Sequence, residues 1–286
     1  MLFLLSCQTA QQESSETTNI PYETLFSVED TKSEFLYDLA TPDKKIKLPK
    51  ELTEISGISL WKEDVFACVQ DEEGRIYFFN EKEEKITEEY RFAKDGDFED
   101  VVVANEIIYA LRSDGKIYEL HPNISEKWEE FEYQTELSSK NDTEGICLGP
   151  DGRKLLIACK NASGIDGHVK DHRGIYSFDL ETKKLDENPV SLISIDQIAD
   201  VAGKKVSFMP SALAIHPKTQ DIYIISSVGK ILLVLDSQNH IKHLQSLKHD
   251  HFKQPEGICF LPDGTLYISN EGKSGKANLL RFEMGK

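Results

Sequence analysis

Residues 144–159 read Glu144-Gly145-Ile146-Cys147-Leu148-Gly149-Pro150-Asp151-Gly152-Arg153-Lys154-Leu155-Leu156-Ile157-Ala158-Cys159: an apolar run, a tight reversal and a second apolar run. Pro150 presets φ and Gly152 tolerates the positive φ of such a reversal, so the stretch predicts a β-hairpin. Its opening, a small or acidic pair followed by alternating apolar residues, recurs four times. The other openings are Ser56-Gly57-Ile58-Ser59-Leu60, Glu99-Asp100-Val101-Val102-Val103, Ser211-Ala212-Leu213-Ala214-Ile215 and Glu256-Gly257-Ile258-Cys259-Phe260. Counted at the second residue of each pair, they stand 43, 45, 67 and 45 residues apart. Three of these intervals match a propeller blade of about 40–50 residues.

The segments downstream of each opening repeat as well. Second strands are expected at Val65–Val69, Ile107–Leu111, Leu155–Cys159, Ile222–Ser226 and Leu266–Ser269, and third strands at Arg75–Phe79, Lys116–Leu120, Gly174–Phe178, Lys230–Val234 and Asn278–Phe282. A weaker fourth strand, such as Trp128–Tyr133, closes each of the first four units. Four-stranded units repeated radially predict an all-β fold, a five-bladed β-propeller. Six blades is the alternative, if the 67-residue interval hides a degenerate unit. The preferred account fills that interval with a polar loop over Asn161–Arg173 and a short helix beginning at Ile195. The last unit lacks an outer strand; Phe35–Asp38 or Lys45–Leu48 would supply one, closing the ring and removing an open sheet edge.

The chain carries 50 acidic and 33 basic residues in 286, a formal charge of −17. Such a surface excludes a duplex nucleic-acid binder, which needs a basic face. Met1-Leu2-Phe3-Leu4-Leu5-Ser6-Cys7 is apolar and then turns polar from Gln8. Leu4-Leu5-Ser6-Cys7 resembles a bacterial lipobox, with a truncated signal over 1–7, lipidation at Cys7 and a flexible tether over 8–30. The propeller then occupies 31–286. Cys68, Cys147, Cys159 and Cys259 each lie in apolar runs and read as buried thiols, without disulfide or zinc spacing.

The openings, together with Gln70-Asp71-Glu72-Glu73-Gly74, Lys94-Asp95-Gly96-Asp97-Phe98 and Gln254-Pro255, resemble the SdiA-regulated family of bacterial β-propellers, distant relatives of NHL-repeat proteins. The resemblance covers roughly residues 50–284 and implies five blades, export as an anchored protein and a calcium site, without implying a reaction. Asp100 and Ala212 depart from the family's usual glycine.

From the residues themselves, Ser56, Glu99, Glu144, Ser211 and Glu256 begin the innermost strands and should meet at one mouth of the channel. Three carboxylates there repel one another unless protons or a cation intervene. Calcium suits an all-oxygen set, so Glu99, Glu144 and Glu256 are the expected metal ligands. The competing account has each glutamate bonded to backbone N–H groups or to an inner-rim lysine such as Lys160. Asp71, Asp97, Asp142, Asn270 and Glu271 lie near strand ends and could join. No nucleophile elbow, zinc motif or P-loop is present. The reading is therefore a monomeric, calcium-binding module of the cell envelope, without catalytic residues, held to a membrane through Cys7 alone and serving a small molecule or an envelope protein. Two alternatives stay open: a calcium-dependent lactonase or esterase at the channel mouth, and a metal-free scaffold.

Overall fold

The computed structural model describes residues 35–123, 127–164, 171–247, 250–272 and 275–285. Cys7 and the 1–30 region lie outside them, as do residues 165–170 of the Asn161–Arg173 loop. A first strand, β1 (Lys44–Lys47), precedes five antiparallel sheets. Blade one is β2 (Ile55–Lys62), β3 (Val65–Gln70), β4 (Arg75–Asn80) and β5 (Lys85–Arg91); blade two is β6 (Phe98–Ala104), β7 (Ile107–Arg112), β8 (Lys116–His121) and β9 (Glu129–Gln134). Blade three holds β10 (Thr143–Leu148), β11 (Lys154–Cys159) and β12 (His172–Asp179), with its outer edge split between β13 (Lys184–Leu185) and β14 (Ser191–Ser194). The helix α1 (Ile195–Ala202) leads to blade four: β15 (Met209–Ile215), β16 (Ile222–Val228), β17 (Ile231–Leu235) and β18 (Ile241–Ser246). Blade five is β19 (Pro255–Phe260), β20 (Leu266–Asn270) and β21 (Asn278–Phe282), completed by β1.

The count is five. The long interval holds a loop, a split outer strand and α1, whose N-terminus is capped by the Ser194 hydroxyl and which ends at Gly203 with φ of 65°. Of the two closing segments considered from the sequence, the ladder is made by Lys44–Lys47, with Ile46 opposite Leu279. Phe35-Leu36-Tyr37 instead straps the base of blades four and five. There the buried His216 ring accepts Lys218 and Thr219 N–H on Nδ1, which leaves Nε2 to donate to the Tyr37 hydroxyl at 2.9 Å; that hydroxyl donates to the Gly264 carbonyl at 2.6 Å.

The hydrophobic core is divided into seams between adjacent blades rather than gathered at one centre. In β3, Phe66 and Cys68 pack against blade five while Ala67 and Val69 pack against blade two. In β16, Ile222 and Ile224 face blade three and Tyr223 and Ile225 face blade five. A strand buried on both faces needs no polar alternation, which is why the second strands read as continuous apolar runs. The innermost strands β2, β6, β10, β15 and β19 each contact the next around a closed ring.

Glycine at the second opening position is a consequence of that ring. A Cβ on Gly57 would lie 2.6 Å from Asp100 Cα and 2.7 Å from Val101 N; one on Gly145 would lie 3.0 Å from Ala212 Cα and Leu213 N. At Asp100 the side chain spans the seam instead. Its Oδ1 accepts Val101 N–H at 2.8 Å and its Oδ2 accepts Ile146 N–H of blade three at 2.9 Å. The carboxyl is 2% exposed, and burial drives its pKa well above the ordinary range.

Candidate functional site

Every innermost strand is irregular at its first turn of pairing. Register shifts fall between Ile55 and Gly57, Phe98 and Asp100, Thr143 and Gly145, Pro210 and Ala212, and Pro255 and Ile258. The extra residue in each bulge is Ser56, Glu99, Glu144, Ser211 or, in the longer shift of blade five, Glu256. A bulge re-aims a side chain out of the ladder. Five repeats of it set five side chains around one mouth.

The serines and glutamates then behave differently. Ser56 Oγ donates to the Phe98 carbonyl of the next blade at 2.8 Å, and Ser211 Oγ does the same to Pro255 at 3.1 Å. An ionised carboxylate only accepts, so it cannot make that bond to a carbonyl. Glu99 shares a hydrogen bond with Asp97; burial first, then Glu144 and Asp97, lift its pKa far above the usual carboxylate range. Glu144, 4% exposed, is lifted by burial and pulled back by Lys160, whose Nζ is ion-paired with its Oε1. Glu256 Oε1 accepts Ser227 Oγ at 3.1 Å and adds to the negative field at Glu144.

A second ring stands one residue after the second-strand partner of each bulge's leading residue: Asp71 after Gln70, Ser113 after Arg112, Lys160 after Cys159, Ser227 after Ser226 and Glu271 after Asn270. It is fixed by backbone bonds back to the inner strand's approach, Asp71 N to Glu54 O, Ser113 N to Asp97 O, Lys160 N to Asp142 O and Glu271 N to Gln254 O. Burial and the carboxylates of Glu54, Glu271, Glu72 and Asp97 push Asp71 up to about 6. Its buried Oδ1, like that of Asn270, has no hydrogen-bond donor among the described residues. The end of β11 and the start of the helix α1, which follows β14 at the His172 end of β12, both lie on this side.

The opposite half of the channel differs in kind. It is a cavity of about 370 Å³ lined by Ile58, Leu60, Val103, Leu148, Ile215 and Phe260 among others, with the Cys147 and Cys259 thiols in its wall. Cys68, Cys147, Cys159 and Cys259 are all buried and free, and burial pushes Cys259 up to about 12.

The donors at the mouth are all oxygen, with two orphaned buried acceptors, which is the chemistry of a hard cation. They are not gathered as a finished cage: among the described residues, no three His, Cys, Asp or Glu side chains stand ready to hold a metal ion. Lys160 and Ser227 engage two of the three expected ligands. Reasoning from sequence found the ring of opening residues; it missed the bridge made by Asp100, whose only signal was the departure from glycine.

A profile of the SdiA-regulated family matches residues 36–273. A search of curated proteins found no match. Among solved structures, the glutaminyl cyclase of Myxococcus xanthus is similar at a TM-score of 0.60 and 11% identity, covering 86% of this chain and 96% of that one. A protein of unknown function from Bacteroides thetaiotaomicron gives 0.53 at 12% identity over 86% and 61%. The aldose sugar dehydrogenase of Streptomyces coelicolor gives 0.51 at 10% over 85% and 97%. At these identities the likeness is one of fold, not of activity.

Proposed function

The chain belongs to the SdiA-regulated family of β-propellers, and from that premise we propose that it is a binding module of the bacterial cell envelope whose acidic mouth takes a calcium ion. One observation carries the reading: carboxylates from three blades, the buried Glu144 and the half-buried Glu99 and Glu256, share one mouth, where Glu144 raises the cost of ionising Glu99 and Glu256 that of ionising Glu144. A bound divalent ion supplies the missing positive charge and braces blades two, three and five against one another. Glu99, Glu144 and Glu256 would hold it, with Asp97, Asp142 or water completing the shell.

Titrating EDTA-treated protein with calcium is expected to release heat and to raise the melting temperature, since binding to the folded state adds stability as ligand exceeds Kd. Glu144→Gln should weaken that response at least tenfold. Absence of heat and of any thermal shift up to millimolar calcium overturns the reading.

Anchoring is proposed separately, through a lipid on Cys7. No helix among the described residues is long and apolar enough to cross a membrane. Bacterial cells expressing the protein from its own gene, fed labelled palmitate, should label the wild type and leave Cys7→Ser dark. Equal labelling of both, or of neither, removes the anchor.

A further inference from the structure

We propose that Lys160 is a tethered internal cation that occupies the acidic mouth and must be displaced by an incoming calcium ion, so that it sets the affinity of the site. This role rests on the calcium reading of the same mouth and deepens it.

Of the five residues at this register position of the second strands, Asp71, Ser113, Lys160, Ser227 and Glu271, one is a cation. Its ammonium is ion-paired with Glu144 Oε1, and Asp142 and Glu99 also lie in its field. It therefore holds the position from which a metal would draw most charge, at the middle member of the carboxylate series. That explains why an all-oxygen mouth has no finished cage: Glu144 is turned to Lys160.

Two features make this contact displaceable rather than merely structural. The backbone on either side is pinned: Lys160 N donates to Asp142 O at 2.8 Å, Asn161 N to Asn141 O at 3.0 Å, and Asn141 Nδ2 to Ala162 O at 3.0 Å and Gly164 O at 2.7 Å. Only the side chain need move. The Lys160 side chain is 31% exposed while that of Glu144 is 5% exposed. The ammonium can therefore swing to water on its flexible stem, whereas the carboxylate cannot leave the mouth. A divalent ion arriving beside Glu144 is repelled by the ammonium and attracted by every carboxylate, so binding and release of Lys160 are coupled. The mouth then discriminates against weakly attracted monovalent ions, which cannot compete with a tethered ammonium at high local concentration.

The experiment compares calcium isotherms of wild type, Lys160→Met and Lys160→Arg by calorimetry, with far-ultraviolet circular dichroism to confirm folding. Removing one unit of positive charge a few ångströms from a divalent ion should tighten calcium binding about tenfold or more, whereas Lys160→Arg should bind no tighter than wild type. Cation-free Lys160→Met should melt below wild type, because Glu144 loses its partner, and calcium should restore it. Should Lys160→Met fail to fold without calcium, Lys160→Gln, which can still hydrogen-bond Glu144, takes its place. Wild-type binding with an unchanged or weaker Lys160→Met overturns this inference alone. If neither protein binds calcium, the calcium reading falls and this inference with it.

Discussion

Replacing Gly57 by alanine is expected to cost about 3 kcal/mol, a fall of roughly 6–10 °C in melting temperature. The added methyl would run into Asp100 Oδ1 and would lie 2.6 Å from Asp100 Cα and 2.7 Å from Val101 N. Two of those three atoms are backbone of the next blade, so no rotamer change relieves the contact. β2 must move away from β6, and the closed ring passes the displacement around to the other seams. Gly152 is the matched control: its φ is +68° but nothing lies within 4 Å of a Cβ there. Gly152→Ala should therefore lose only the conformational cost of a left-handed residue, about 1 kcal/mol. Thermal or urea denaturation of the two variants separates close approach from backbone strain. A Gly57→Ala protein within 1 kcal/mol of wild type would show that the blades are not wedged together as the geometry requires. Because the same wedge sets Ser56 and Glu99 at the mouth, Gly57→Ala should also weaken calcium binding, whereas Gly152→Ala should not.

That link between a small residue and a distant carboxylate marks where sequence reading works and where it stops. The five openings were legible because a turn such as Pro150-Asp151-Gly152 and a run such as Leu155–Cys159 act locally, through φ and through burial on both faces. Ring closure by β1 was legible as a need, since a blade with three strands leaves an edge, but the choice of Lys44–Lys47 over Phe35–Asp38 was decided elsewhere. Tyr37 is taken by His216 and Gly264, so its segment cannot also serve the ladder. The mouth shows the same division. Which residues start the strands can be counted. Which carboxylate meets a lysine depends on how blade three's β11 ends relative to blade three's bulge, a register that pairing alone sets. Asp100 is the sharpest case: by its type it belongs with the acidic ring, yet its oxygens are spent on Val101 and Ile146 N–H groups and it faces the seam.

The mouth should also make the cation-free protein more stable as pH falls from 8.5 to 6.5, the reverse of ordinary acid sensitivity. Glu99 and Glu144 have folded pKa values above their unfolded ones, through burial first and then through neighbouring carboxylates or, for Glu144, against the pull of Lys160; Asp100 in the seam is raised by burial in the same sense, and Asp71, at about 6, adds its share only below this window. Such a group keeps its proton in the folded chain over a range where the unfolded chain has lost it. The folded state then binds more protons, so stability falls as pH rises through that range and is recovered as pH drops. A single fully shifted group changes stability by about 1.4 kcal/mol per pH unit; the partial exposure of Glu99 reduces this to about 1 kcal/mol. Below about pH 6.5 the buried His216 and His243 oppose the trend, because burial lowers their pKa values and the unfolded imidazoles take protons first. The melting temperature in EDTA should therefore rise by several degrees between pH 8.5 and 6.5 and more slowly below that. Glu99→Gln, which keeps the shape and removes the charge, should raise stability at pH 8.5 and flatten the slope. Saturating calcium should flatten it as well, since the ion binds the ionised carboxylates and expels their protons, and that release appears as a buffer-dependent enthalpy of binding. A cation-free melting temperature independent of pH across this window, unchanged in Glu99→Gln, would mean that the carboxylates do not share a confined mouth, and the attraction for a divalent ion would lose its physical source.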